Sequence, residues 1–121
     1  MRRAFLASLF ALALTACASS AASPTAQRFE GIYDTHFETS SFRPDSGGGP
    51  YWLSAGDTME AIEAPIVQTG RGPWGRVHLI VEGELSPEGH YGHLGGYEHE
   101  LRVTRVIESR LVSVYGQPSG S

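Results

Sequence analysis

Between Gly75 and Ser86 the chain alternates with a period of two: Val77, Leu79, Val81 and Leu85 fall on one face, and His78, Ile80, Glu82 and Glu84 fall on the other. That spacing fits an extended strand and not a helix. One face must meet a core and the other mostly water, so the rest of the chain has to supply a β layer around this strand. A second long run, residues 29–42, carries β-branched and aromatic side chains (Ile32, Tyr33, Thr35, Phe37, Thr39, Phe42) among polar ones and reads as one long strand. Tyr51-Trp52-Leu53 reads as a short strand with Trp52 in the core, and residues 98–108 as a last long strand that 111–115 extends or flanks. One helix interrupts this β pattern. Asp57-Thr58-Met59-Glu60 has the spacing of a capped helix start, Met59 and Ile62 follow at helical intervals, and Pro65 is expected to end the helix after about two turns. Glycine and proline mark the breaks at 46–50, 68–75 and 86–97, and residues 116–121 read as a frayed tail.

The core must hold without a covalent staple, because Cys17 is the single cysteine of the 121 residues. Residues 1–16 set aside, 121 − 16 leaves 105, enough for one domain with a modest core. The charge disfavours nucleic acid as a partner. The chain has 9 basic and 13 acidic residues, and removing Arg2 and Arg3 leaves 7 against 13, or −6, whereas phosphate binding needs a basic face.

The segment 1–17 has a positive start at Arg2 and Arg3, an apolar stretch of about 11 residues from 4 to 14, and then Leu14-Thr15-Ala16-Cys17. A spanning helix would need roughly 20 apolar residues. The segment resembles a bacterial lipoprotein signal peptide with its lipobox. The resemblance implies cleavage before Cys17, a diacylglyceryl thioether with palmitate-type chains on its sulfur, and a lipid anchor in the cell envelope. Ala18 stands where an aspartate would mark inner-membrane retention, so the resemblance implies the inner leaflet of the outer membrane, facing the periplasm. Residues 17–27, rich in Ala and Ser, read as a flexible lipidated spacer before a domain at 28–115.

The order of these elements, with a short helix between early and late strands and a glycine-rich loop between the last two, resembles a small OB-fold barrel. The fold class expected is mainly β, an OB-like five-stranded barrel with one short helix; an open β-sandwich or a meander capped by the helix is the alternative. An OB barrel has three strands before its helix, whereas the pattern places only two between Phe29 and Ala55 unless the run 29–42 breaks in two. The resemblance implies ligand contact through the loop after the first strand and the loop between the last two, placed here at residues 43–50 and 86–97.

Within the second of these loops, His90, His93 and His99 offer three imidazoles in ten residues, beside Glu98, a donor set suited to Zn²⁺, Cu²⁺ or Ni²⁺. Solvated or backbone-bonded histidines are the simpler reading. Asp34, His36 and Glu38 share one strand face by period two, as a solvated charged face would. No serine stands in a nucleophile elbow and no glycine loop carries a phosphate-binding lysine, so no catalytic residue is expected and the chain is not expected to be an enzyme. Trp74, Tyr91 and Tyr97, in or beside loops, are residue types that anchor interfaces. The expected function is a lipid-anchored, non-catalytic binding module for an envelope protein or a small ligand. The alternatives are a periplasmic metal-binding or metal-sensing lipoprotein using His90, His93 and His99, and a structural envelope lipoprotein.

Overall fold

The structure, a computed structural model, describes residues 26–116. The expected signal segment, Cys17 and most of the expected spacer lie outside the described residues, as does the expected tail from residue 117.

Five strands, β1 (Gln27–His36), β2 (Thr39–Pro44), β3 (Tyr51–Ser54), β4 (Gly75–Leu85) and β5 (Glu100–Val114), close into a barrel in the order β1-β2-β3-β5-β4. Every pair is antiparallel except β3 with β5, where Trp52 lies beside Glu100 and Leu53 beside Leu101. This is the small OB-like barrel, with helix α1 (Met59–Val67) between β3 and β4. Closure leaves no unpaired sheet edge at the joined strands.

Three expectations need correction. The run 29–42 is not one strand but a hairpin, in which His36 pairs with Thr39 and Phe37-Glu38 make the turn, with Glu38 at φ 58°. Nothing in the alternation marks that break, because both arms keep the same polar and apolar residue types. In consequence residues 43–50 are not the loop after the first strand: Arg43 and Pro44 close β2, and the loop that follows joins β2 to β3. The helix also differs from its expected start and stop. A 3-10 turn over Gly56–Thr58 precedes it, and Thr58 is the residue at its N-cap; the Thr58 hydroxyl donates to Ala55 O at 2.7 Å instead of accepting from the helix. Pro65 lies inside the helix, which continues because Ile66 is anchored in the core and Gln68 N still donates to Ala64 O at 2.9 Å.

Inward-facing Tyr33, Phe42, Leu53, Val77, Leu79, Val81, Leu101 and Val103 fill the barrel, and Ile62 and Ile66 of α1 join them. Gly31 and Gly83, at inward positions, are glycine for steric reasons. A side chain at Gly31 would overlap Arg43 O, and one at Gly83 would overlap Arg102 O, so both allow neighbouring backbones to approach as a narrow barrel requires. The helix is fastened by Ser109, whose hydroxyl donates to Ile62 O at 2.8 Å. Tyr33 is the one core residue with a polar tip: its hydroxyl donates to Glu63 Oε2 at 2.9 Å, and burial pushes its pKa up to about 12. No described helix is long and apolar enough to cross a membrane.

Candidate functional site

The long β4–β5 connection folds into a small hairpin of its own. Gly89 N donates to Glu98 O at 2.9 Å, and Tyr91 and Tyr97 exchange backbone bonds of 2.8 and 3.1 Å. Its tip is a 3-10 turn over His93–Gly95, with Leu94 at φ 57° and 90% exposed. Before the tip, Gly92 adopts φ 74°, ψ −158°, a region essentially restricted to glycine.

This hairpin lies across the outer face of β3. The Trp52 and Tyr97 rings meet edge to face at 5.3 Å between centroids, and a Cβ on Gly92 would lie 2.8 Å from Trp52 Cγ. Trp52 is therefore outside the barrel, against expectation. With Tyr51 and Leu53 pointing in, the period of two directs Trp52 outward, and the hairpin supplies its cover. A second tether joins the tip to the β1–β2 turn, where His93 Nε2 and Glu38 Oε1 are 3.0 Å apart.

Where the β2–β3 loop meets the base of this hairpin, a groove of about 540 Å³ is lined by Gly49, Pro50, Tyr51, Gly96, Tyr97, Glu98 and His99. Its walls are held in place by the fold. Trp52 N donates to His99 O at 2.9 Å, the His99 ring packs edge to face on Tyr51 at 5.9 Å, and His99 Nδ1 is 3.0 Å from Ser86 O. The arrangement offers aromatic faces, one carboxylate and one imidazole around a shallow opening, which suits recognition of an extended polar or aromatic group.

Of the residues singled out from sequence, Tyr97 lines this groove. Tyr91 turns away from it, donating its hydroxyl to Pro87 O at 3.0 Å. Trp74 is not part of it either. It packs edge to face on Phe37 at 6.4 Å between centroids, and these two rings, 42% and 66% exposed, form a separate apolar patch at the β1–β2 turn.

The three loop histidines do not gather. His93 turns to Glu38 and His99 to Ser86, and no set of three ligand atoms from His90, His93 and His99 converges among the described residues. On the first strand, Asp34 and His36 do pair, at 3.1 Å, while Glu38 leaves that face at the turn. Asp34 also accepts a hydrogen bond from Tyr115 Oη at 2.9 Å; burial and that bond raise the Tyr115 pKa.

A different set converges where the sequence spacing gave no sign of it. Glu30, Asp45 and His78 bring their donor atoms within 4.8 Å of one another, from β1, the turn just after β2, and β4. The signal available in the sequence was the outward phase of Glu30 and His78 on two strands; the register that makes them neighbours was not.

The fold and its loops define the chain as a small OB-like β-barrel with a folded-over β4–β5 hairpin. Compared with protein-family models, curated proteins and solved structures, it matches none.

Proposed function

We propose that this chain is a lipid-tethered, non-catalytic binding module of the bacterial cell envelope, anchored through Cys17 and facing the periplasm from the inner leaflet of the outer membrane. Its ligand, an envelope protein or a small molecule, engages the groove between the β2–β3 loop and the β4–β5 hairpin.

One observation carries the reading. The β4–β5 loop chosen from sequence, 86–97, borders with the β2–β3 loop one groove of about 540 Å³ lined by Tyr51 and Tyr97, and OB-type barrels use the face of their second and third strands with the loops between strands 1–2 and 4–5 for ligands, of which the β4–β5 loop lies at this groove. The lipobox-like run at Leu14-Thr15-Ala16-Cys17 supports the tether, since two or more acyl chains make attachment stable.

Two experiments test it. Cys17→Ser abolishes labelling by an alkyne fatty acid, and persistent labelling would remove the anchor. Tyr97→Ala, and separately replacement of residues 90–95 by a short Gly-Ser link, removes specific partners or ligands that copurify with the intact lipoprotein; an unchanged set would remove the groove.

A further inference from the structure

We propose that Glu30, Asp45 and His78 form a binding site for a divalent metal ion of the Zn²⁺ class, on the barrel wall away from the β4–β5 hairpin.

The donor set is built by backbone register and does not depend on chance side-chain reach. Ile32 of β1 pairs with His78 of β4, so Glu30 and His78 share the outer face two residues apart. Asp45 is placed against them because its own N–H donates to Glu30 O at 2.9 Å as the chain leaves β2. His78 Nε2 lies 3.0 Å from Asp45 Oδ2 and 3.8 Å from Glu30 Oε2. Donor atoms bound to one Zn²⁺ at about 2.0–2.2 Å stand roughly 3.3 Å apart in a tetrahedron, so these separations bracket the required one. Both carboxylates are about half exposed and can rotate, while the His78 side chain is held at 15% exposure.

The charges of the site suit a divalent cation. Two carboxylates face one imidazole, and among the described residues His78 is the only cationic partner within ion-pair distance of either. A divalent ion matches the charge of the two carboxylates. A metal on Nε2 requires the hydrogen to sit on Nδ1, which is buried without a hydrogen-bond partner. Metal-binding histidines ordinarily donate that second hydrogen, and losing the outer partner costs about 10–100-fold in affinity. The site is thus a weak, exchangeable one. A groove of about 630 Å³ bordered by Arg28, Phe29, Glu30, Pro44, Asp45 and Ser46 opens beside it, leaving room for water or an anionic ligand group to complete the coordination.

The test uses the full chain purified in detergent, untagged and freed of metal with a chelator. Zn²⁺ binding is read by isothermal titration, and Co²⁺ serves as a spectroscopic probe of coordination. The proposal expects one saturable site, weakened at least about tenfold by Asp45→Asn or Glu30→Gln, both mild changes at exposed positions, and retained in a His90→Ala/His93→Ala/His99→Ala variant. His78→Gln is the companion variant, checked for folding by circular dichroism. Absence of saturable binding to millimolar Zn²⁺, binding indifferent to Asp45→Asn and Glu30→Gln, or binding lost in the loop-histidine variant would each overturn it.

Discussion

Replacing Gly92 with alanine isolates what holds the β4–β5 hairpin on the barrel. Gly92 sits at φ 74°, ψ −158°, where a residue with a Cβ costs about 1–3 kcal/mol. The added methyl would also lie 2.5 Å from Trp52 Cε3, and such overpacking costs about 1–3 kcal/mol more. If the hairpin stayed in place, the total would be about 2–6 kcal/mol. The hairpin has a cheaper course, because its ties are few. The Tyr97–Trp52 edge contact is worth about 0.5–1.5 kcal/mol, and the His93–Glu38 pair, exposed on both sides, about 0–1 kcal/mol. Detachment therefore caps the loss near 0.5–2.5 kcal/mol, which at about 4–8 °C per kcal/mol for a domain this size is a fall of roughly 2–20 °C in Tm. The distinguishing readout is local. The chain has two tryptophans, so a Trp74→Phe background leaves Trp52 as the sole emitter. Gly92→Ala then shifts Trp52 emission to the red and speeds proteolysis between residues 88 and 98, while the far-ultraviolet spectrum of the barrel stays the same. Gly95→Ala is the control: φ is 66° and its Cβ would meet His90 Cβ at 3.4 Å, so it costs about 1–2 kcal/mol without touching Trp52. Unchanged Trp52 emission and proteolysis in Gly92→Ala would refute the reasoning.

The buried Tyr33 gives a pH dependence with a definite sign. Its pKa is raised from 10.0 to about 12, so the folded state holds the proton more tightly than the unfolded chain; stability is fully present below pH 10 and falls as pH rises from 10 to 12. At about 1.4 kcal/mol per pH step the loss is on the order of 3 kcal/mol, read from urea unfolding across that range. Tyr33→Phe flattens most of the slope, at a cost of about 1 kcal/mol for the bond to Glu63, and an equally steep slope in that variant would contradict the assignment. Trp74→Ala removes one edge contact with an exposed partner, Phe37, and lowers stability by no more than about 1.5 kcal/mol in thermal unfolding; a larger loss would mean that this ring supports the core. Leu79→Ala empties a fully buried position and costs about 2–5 kcal/mol, whereas a loss under 1 kcal/mol would place the core elsewhere.

Residues that carry their own local signal were legible in the sequence. The alternation at 77–85 placed β4 and its buried face, and the glycines of 86–97 marked the loop that became the hairpin. The β1–β2 break was hidden because a two-residue turn of Phe37 and Glu38 uses neither glycine nor proline, and Glu38 takes its left-handed backbone without a residue type that announces it. Missing that turn displaced the first loop by a whole hairpin. Trp52 was misread because apolar neighbours on both sides resemble a buried run, while phase alone put it outward. The histidine spacing suggested a cluster, yet proximity along a loop does not set where side chains point. The Glu30, Asp45 and His78 group shows the converse: residues 15 and 33 positions apart meet through strand register, which no local pattern encodes. The helix ran past Pro65 for a tertiary reason, the burial of Ile66.

The central claim is that the groove beside Tyr97 is where this module meets its ligand. The most direct measurement places a photo-crosslinking amino acid at position 97, and in parallel at Pro50 and at the control sites Glu60 and Thr104, in the full chain expressed in intact cells. The account predicts a discrete adduct from positions 97 and 50 and none from 60 or 104, diminished when the hairpin is detached by Gly92→Ala. Adducts that are equal at all four positions, or confined to the control sites, would contradict it.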